Sequence, residues 1–261
     1  MEYFNLTGRS IGVNFDAEGT ANILLWAPSA RTVAIAIGNN SDRIELRRGE
    51  PGSWSLKTTR LKPRDLYQFV LDDEKQLPDP ASLSQPEGVH GRSKSVDLRS
   101  FGWKDDTWNN IDLEQYMLYE LHTGTFSEAG TFERIAEKLD YLRDLGINAI
   151  EIMPVAQFPG NRNWGYDGVY PFPVQDSYGG AEGLMHLVNL CHQRGIAVGL
   201  GVVYNHFGPE GNYMGEFGPY LTEKYSTPWG KAVNFDDEWC DGVRHYFLEN
   251  ALMWFRDFHI D

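Results

Sequence analysis

Apolar positions follow two different rhythms along the chain. In the first third they come in short runs: Ile11–Phe15, Ala21–Trp26, Thr32–Ile37, Arg43–Arg47, Trp54–Thr58 and Leu66–Leu71. These runs are rich in β-branched and aromatic residues, and Val33-Ala-Ile-Ala-Ile37 alternates large with small. Turn-forming residues punctuate them at Asp16–Gly19, Pro28–Ala30, Gly38–Asn40 and Gly49–Gly52. Short strands at such spacing predict an all-β, immunoglobulin-like sandwich. Leu77-Pro-Asp-Pro-Ala-Ser82 cannot be a central strand, because Pro78 and Pro80 lack ladder donors. It reads as an ordered connector.

From about Gln115 the pattern becomes strand, helix, strand. Tyr116–Leu121 is the first candidate strand. Thr131 stands as N-cap before Phe132, Ile135, Leu139 and Leu142, which share one helical face, and Gly146 sits at the C′ position. Ile147–Met153 is a strand stopped by Pro154. Leu184, Leu187, Val188 and Cys191 mark a second helix closed by Gly195. Ile196–Val203 is nearly all apolar, as in a parallel strand buried on both faces. A third helix spans about Asp241 to Phe258, ahead of His259-Ile-Asp261.

Three βα units and the first residues of a fourth strand fall short of a complete (β/α)8 barrel, which needs about 250 residues. The pattern predicts a β-sandwich over residues 1–108. It predicts the N-terminal part of a barrel over 109–261, ending before strand four. Unpaired edges on the outer barrel strands would invite association. An open three-stranded α/β sheet is the alternative. Such sheets bind nucleotides at a Gly-rich first turn, and Leu121-His-Thr-Gly-Thr-Phe126 carries no GxGxxG pattern.

Two connections are far longer than the usual 2–6 residues of a βα loop. One runs from Pro154 to about Gly180 and holds Phe158, Trp164, Tyr166, Tyr170, Phe172 and Tyr178. The other runs from Phe207 to about Cys240 and adds Tyr213, Phe217, Tyr220, Tyr225, Trp229, Phe235 and Trp239. Loops that follow barrel strands lie at the face where active sites form. Aromatic faces suit the C–H face of a sugar ring, so a carbohydrate cleft is expected there, with many of the rings packing the loops themselves.

Charge narrows the partners. A net charge of −14 repels phosphate backbones, which argues against nucleic acid, while neutral glucans bring no such conflict. No apolar run reaches the roughly 18 residues of a membrane span, and Met1 to Phe15 lacks a signal-peptide core. Cys191 and Cys240 form no disulfide framework, so a reduced cytoplasmic setting is expected, where sequons at Asn5 and Asn39 carry little meaning. The seven His are scattered without ligand spacing, so neither a metal nor a cofactor is called for.

Two motifs carry chemistry. Gly201-Val-Val-Tyr-Asn-His206, at the end of the third strand, resembles the first signature region of the α-amylase superfamily. Asn163-Trp-Gly-Tyr-Asp-Gly168 resembles the loop whose tyrosine stacks where the bond is cleaved. Further segments match in order: Tyr119–Phe126, Ile150–Gly160, Asn205–Tyr213, Thr227-Pro-Trp-Gly230, and the connector with Gln85-Pro-Glu-Gly-Val-His-Gly91. Within the superfamily these resemble the malto-oligosyltrehalose trehalohydrolases, over essentially the whole chain. Glycogen branching and debranching enzymes rank second.

The resemblance implies a retaining glycosidase with two carboxyl groups about 5–5.5 Å apart. It would act on the α-1,4 bond next to the terminal trehalose of maltooligosyl trehalose. It places substrate-binding roles on Trp164, Tyr166, Asn205 and His206: Tyr166 stacks on the sugar, His206 bonds a hydroxyl and Asn205 shapes the floor. It places the nucleophile and acid/base beyond Asp261, so no catalytic residue is assigned. A chain of these residues is expected to be inactive alone, with Glu120 and Glu151 in structural roles. One departure stands inside the matched region: Gly201 occupies the position where the family usually has Asp. A non-catalytic α-glucan-binding module is the alternative function, and a scaffold subunit completing its barrel with another polypeptide is a third.

Overall fold

The computed structural model describes residues 7–38 and 42–261. The sequons at Asn5 and Asn39 and the turn residues Asn39 and Asn40 lie outside the described residues. The strands of the first part are β1 Gly12–Phe15, β2 Ala21–Trp26, β3 Val33–Ile37, β4 Asp42–Glu45, β5 Arg47–Arg48, β6 Ser53–Thr58, β7 Leu66–Leu71, β8 Lys75–Leu77 and β9 Ser93–Lys94. They form two antiparallel sheets, one in the order β1-β2-β6-β5, the other β4-β3-β7-β8 with β9 also on β7. Alternation sets the faces: Ala21, Ile23 and Leu25 of β2 and Tyr67, Phe69 and Leu71 of β7 point into one shared core. On the other face of β7, Val70 packs with Ala34 and Ala36 in a cluster of its own.

The run Arg43–Arg47, expected as one strand, divides instead. Its first half pairs with β3, while Arg47 and Arg48 pair with β6 of the opposite sheet. Leu46 is the pivot, because burying its side chain in the core turns the backbone from one sheet to the other. The connector after β8 is buried from Leu77 to Gln85. Pro78 and Pro80 bring no donors there, so between them only the Asp79 amide donates, to Ser93 Oγ at 2.9 Å, and the Asp79 side chain ties the segment down by accepting. Its carboxylate accepts from Tyr67 Oη at 2.7 Å and from the Ala81 amide at 2.8 Å.

The second part holds β10 Leu118–Leu121, α1 Thr123–Phe126, α2 Phe132–Ala136, α3 Leu139–Asp144, β11 Ala149–Ile152, β12 Ala156–Gln157, β13 Tyr170–Val174, α4 Gly180–His192, β14 Ala197–Leu200, α5 Met214–Phe217, β15 Leu221–Thr227, β16 Gly230–Val233 and α6 Cys240–Arg256. β10, β11 and β14 form a parallel sheet in that order, in register at Leu118↔Ala149 and Ala149↔Ala197. Asp261 continues beside β14, its amide donating to the Val198 carbonyl at 3.0 Å. β12–β13 and β15–β16 are hairpins within the two long connections, which the composition had suggested were loops.

The helical face Phe132, Ile135, Leu139 and Leu142 is buried, but the helix is two short ones, broken at Lys138 (φ −103°, ψ 0°). Thr131 takes the extended N-cap backbone without a side-chain cap bond.

The two parts share one continuous apolar cluster. α6 is the principal bridge. Tyr246 Oη donates to the Pro80 carbonyl at 2.7 Å, and the buried Glu249 carboxylate accepts from Ser10 N at 3.2 Å and Ser10 Oγ at 2.9 Å. Trp26 of β2 meets Tyr220 edge to face at 4.9 Å, and Tyr220 meets Tyr246 at 5.2 Å. Tyr246→Phe strands the buried Pro80 carbonyl, so urea unfolding is expected to lose about 1–3 kcal/mol. No helix is long and apolar enough to cross a membrane among the described residues.

Candidate functional site

Two loops leave the C-terminal ends of β11 and β14 and meet. Asn163 shapes the first. Its side-chain oxygen accepts from Gly165 N at 2.8 Å, and its amide donates to Asp167 Oδ2 at 2.7 Å. Short polar side chains set tight turns in this way, and the turn here presents Trp164 and Tyr166. His122, just past β10, holds the turn from below: its Nε2–H donates to the Asn163 carbonyl at 2.8 Å. The Tyr178 hydroxyl lies 3.0 Å from the same nitrogen. Burial pushes the Tyr178 phenol up to about 12, so it stays neutral there.

The second loop is pinned on both sides of its polar pair. Tyr204 Oη donates to Asn250 Oδ1 at 2.6 Å, and Asn250, fully buried on α6, donates onward to the Pro171 carbonyl at 3.0 Å. Phe207 packs on Phe247 of α6 with ring centroids 5.8 Å apart. Between these anchors Asn205 and His206 have little freedom. His206 is 9% exposed, and its Nε2–H donates to the Tyr166 carbonyl at 2.9 Å. Nδ1 lies 3.2 Å from the Asn205 side-chain oxygen. The indole of Trp229, at the turn of the β15–β16 hairpin, stacks on the imidazole at 4.8 Å and 15°.

Glycines let the loops interlock. A Cβ at Gly208 would lie 2.1 Å from the Asp167 carbonyl oxygen, and Gly208 N donates to the Gly168 carbonyl at 2.9 Å. At Gly165 a Cβ would lie 2.0 Å from the Pro154 carbonyl oxygen, and φ is +92°. Backbone approaches of this kind admit no side chain.

Tyr166, Asn205 and His206 therefore come together as the motifs suggested, with Tyr166 45% exposed beside the buried imidazole. Trp164 stands apart, 71% exposed to solvent. Two residues of the cluster were not singled out by sequence reasoning. Trp229 lay inside the Thr227–Gly230 motif but was given no role there, and its contact with His206 has no periodic signature. His122 lay inside the Tyr119–Phe126 motif, but nothing there told a second loop's support from a turn residue. Among the described residues no three His, Cys, Asp or Glu side chains converge as metal donors. The exposed groups are ring faces, the Asn205 amide and the Asp167 carboxylate that Asn163 holds, a set of stacking and hydrogen-bonding groups that favours a hydroxyl-rich ligand.

A family profile described as the catalytic domain of α-amylase matches residues 100–230. The chain belongs to the α-amylase family. The malto-oligosyltrehalose trehalohydrolase of Saccharolobus solfataricus is 48% identical over 252 residues, 97% of this chain and 44% of the relative. That of Mycobacterium tuberculosis is 45% identical over 91% of this chain and 41% of its own. This α-amylase-family chain thus spans less than half the length of the curated relatives it matches. A putative α-amylase of Salmonella typhimurium superposes with a TM-score of 0.92 at 37% identity, over 97% of this chain and 43% of that one. A pullulanase of Anoxybacillus sp. LM18-11, complexed with maltotetraose, shares the fold with a TM-score of 0.80 at 20% identity. It covers 97% of this chain and 44% of its own.

Gly201, at the start of the first signature motif, has little room for a side chain. A Cβ there would lie 3.2 Å from Pro154 Cδ, so a side chain enters only if the proline ring shifts by a few tenths of an ångström.

Proposed function

We propose that this chain is the sugar-binding part of a retaining α-glycosidase of the trehalohydrolase type. The reaction would hydrolyse the α-1,4 bond next to the terminal trehalose of maltooligosyl trehalose and release trehalose, as in trehalose biosynthesis, in the cytoplasm. The single observation that carries this is the locked contact between the Tyr166 carbonyl and His206, with Asn205 and Trp229 on either side of the imidazole. The Tyr166 ring would stack on the sugar at the cleavage point, and the Asn205 amide would take a hydroxyl. His206, with both ring nitrogens engaged and one face under Trp229, would act on the sugar through the turn that carries Tyr166 rather than by bonding a hydroxyl itself. Trp164, far out in solvent, would touch a more distant sugar unit. Identity of 41–48% to four trehalohydrolases over at least nine-tenths of this chain supports the substrate class.

In this reading, residues 1–108 are an immunoglobulin-like β-sandwich and residues 109–261 are the first three βα units of a (β/α)8 barrel. The carboxylates that break the bond are not among these residues, so a polypeptide of the 261 binds without turnover. Maltooligosyl trehalose titrated against that polypeptide should change its tryptophan fluorescence in a saturable way. Tyr166→Ala is expected to weaken this binding about tenfold, the order of one lost aromatic contact of 1–1.5 kcal/mol. Unchanged affinity in both Tyr166→Ala and His206→Ala would sink the site. Trehalose release at an ordinary enzymic rate of about 1–10³ s⁻¹ would sink the absence of turnover.

Gly201 favours a second reading, an α-glucan-binding module without hydrolysis. Equal affinity for maltooligosyl trehalose and for a plain maltooligosaccharide of the same length would support it.

A further inference from the structure

We propose a second α-glucan contact on this chain, in a groove of about 420 Å³ between the first antiparallel sheet and the β15–β16 hairpin, with Trp239 as its platform. This rests on the reading of the chain as a glucan binder.

Trp239 is a large apolar side chain left 48% exposed, and it lines the groove. Its backbone is left-handed, φ +66° and ψ 11°, at the N-cap of α6. A bulky residue pays about 1–2 kcal/mol for that conformation, and such strain persists where surrounding structure imposes it. Here Asn234 imposes it. Asn234 is 1% exposed, and its side chain donates to the Pro219 and Glu238 carbonyls at 3.0 and 2.8 Å and accepts from Asp237 N at 2.9 Å. The turn that presents the indole is therefore set before any ligand arrives.

The opposite wall is equally fixed. Pro28 and Ser29, in the turn between β2 and β3, are tied down by Ser29 N donating to the Phe217 carbonyl at 3.4 Å. At Gly218 a Cβ would lie 2.8 Å from Pro28 Cδ, whereas at Gly215 nothing lies within 4 Å of one, which leaves the floor open. Lys231 borders the groove and pairs with Glu223 at 2.7 Å on the rim. A preformed groove with an indole face, a hydroxyl and few other polar groups suits the C–H face and hydroxyl belt of a neutral sugar. Continuity assigns that sugar to the same ligand class, because Leu221 and Lys231 belong to the hairpin whose turn places Trp229 on His206. A longer glucan would then engage both places on one polypeptide, and its avidity would exceed that of either.

Affinity electrophoresis of the 261-residue chain through gels containing glycogen tests this, with maltoheptaose titration as the second readout. Trp239→Asn removes the platform and keeps a residue suited to positive φ, while Trp239→Tyr keeps a ring. Trp239→Asn is expected to weaken retardation by glycogen at least fivefold, Trp239→Tyr less than twofold, with unchanged circular dichroism in both. Wild-type retardation of Trp239→Asn alongside weakened binding by Tyr166→Ala overturns the groove and leaves the site. Weakening by Trp239→Asn alone overturns the site and leaves the groove. No retardation of the parent chain overturns both.

Discussion

His192→Leu is expected to cost about 3–5 kcal/mol of unfolding free energy, the largest single loss anticipated outside the apolar core. His192 lies at the C-terminal end of α4 with its side chain only 1% exposed, and each ring nitrogen meets a carboxylate. Nδ1 is 2.8 Å from Asp105 and Nε2 is 3.0 Å from Asp261. Two acceptors require two N–H donors, so the ring is an imidazolium. Around it, His259 donates to Asp105 at 2.8 Å, Trp108 Nε1 donates to Asp261 at 2.8 Å, and the Trp108 indole stacks on His192 at 4.7 Å and 8°. Asp261 also accepts from Val198 N at 2.8 Å. The cluster clamps residues 103–108, α4 and β14 to one another. Leucine would fill the volume and leave two buried carboxylates without their cation.

The pH dependence of that loss has a definite sign. Burial alone would lower the His192 pKa, but hydrogen bonds to Asp261 and Asp105 outweigh it and raise the pKa above the ordinary value. Burial would raise both aspartates. Hydrogen bonds from His259 and His192 bring Asp105 below its ordinary value, and those from His192, Trp108 and Val198 N do the same for Asp261. A raised histidine stabilises fully below about pH 6.5 and loses that contribution as pH climbs through its folded pKa. The depressed aspartates stabilise above about pH 4 and lose theirs as acid protonates them. Urea midpoints of the parent chain should therefore be highest between about pH 4 and 6.5 as far as this cluster is concerned, then decline toward alkali. His192→Leu should flatten the alkaline arm. Parallel pH profiles for the two proteins would show that the ring is uncharged in the fold.

None of this clamp was legible in the sequence, and the reason is physical. Asp105, His192 and His259 each read alone as ordinary polar surface, and only the packing of α4 against residues 103–108 brings them within 3 Å. Patterned burial was legible: the face Phe132, Ile135, Leu139 and Leu142 follows from helical period, and the strand cores of β2, β7, β11 and β14 from short runs of apolar residues. The two-residue strands β5, β9 and β12 were not, since distant partners define them. The site divided in the same way. Motifs marked Tyr166, Asn205 and His206, yet the bond that joins them runs to a backbone carbonyl, which no side-chain pattern encodes.

A neighbouring backbone contact between the same two loops makes Gly208 a position where one added methyl group should disturb the site strongly. Gly208→Ala adds one methyl group 2.1 Å from the Asp167 carbonyl oxygen, well inside contact distance. Neither partner is the end of a flexible side chain, so the 205–208 loop must withdraw. Withdrawal breaks the Gly208 N to Gly168 carbonyl bond and draws His206 from the Tyr166 carbonyl, 2.9 Å away in each case. Tyr204 on Asn250 and Phe207 on Phe247 resist that movement, so strain of about 1–3 kcal/mol is shared between a lowered urea midpoint and a displaced imidazole. Glucan affinity is expected to fall at least tenfold, with near-ultraviolet circular dichroism reporting the loss of Trp229 stacking on His206. Gly102→Ala, where nothing lies within 4 Å of the added methyl, serves as the neutral control. If Gly208→Ala binds maltooligosyl trehalose as the parent does, the two loops are not rigidly joined, and the Tyr166–His206 contact does not organise the site.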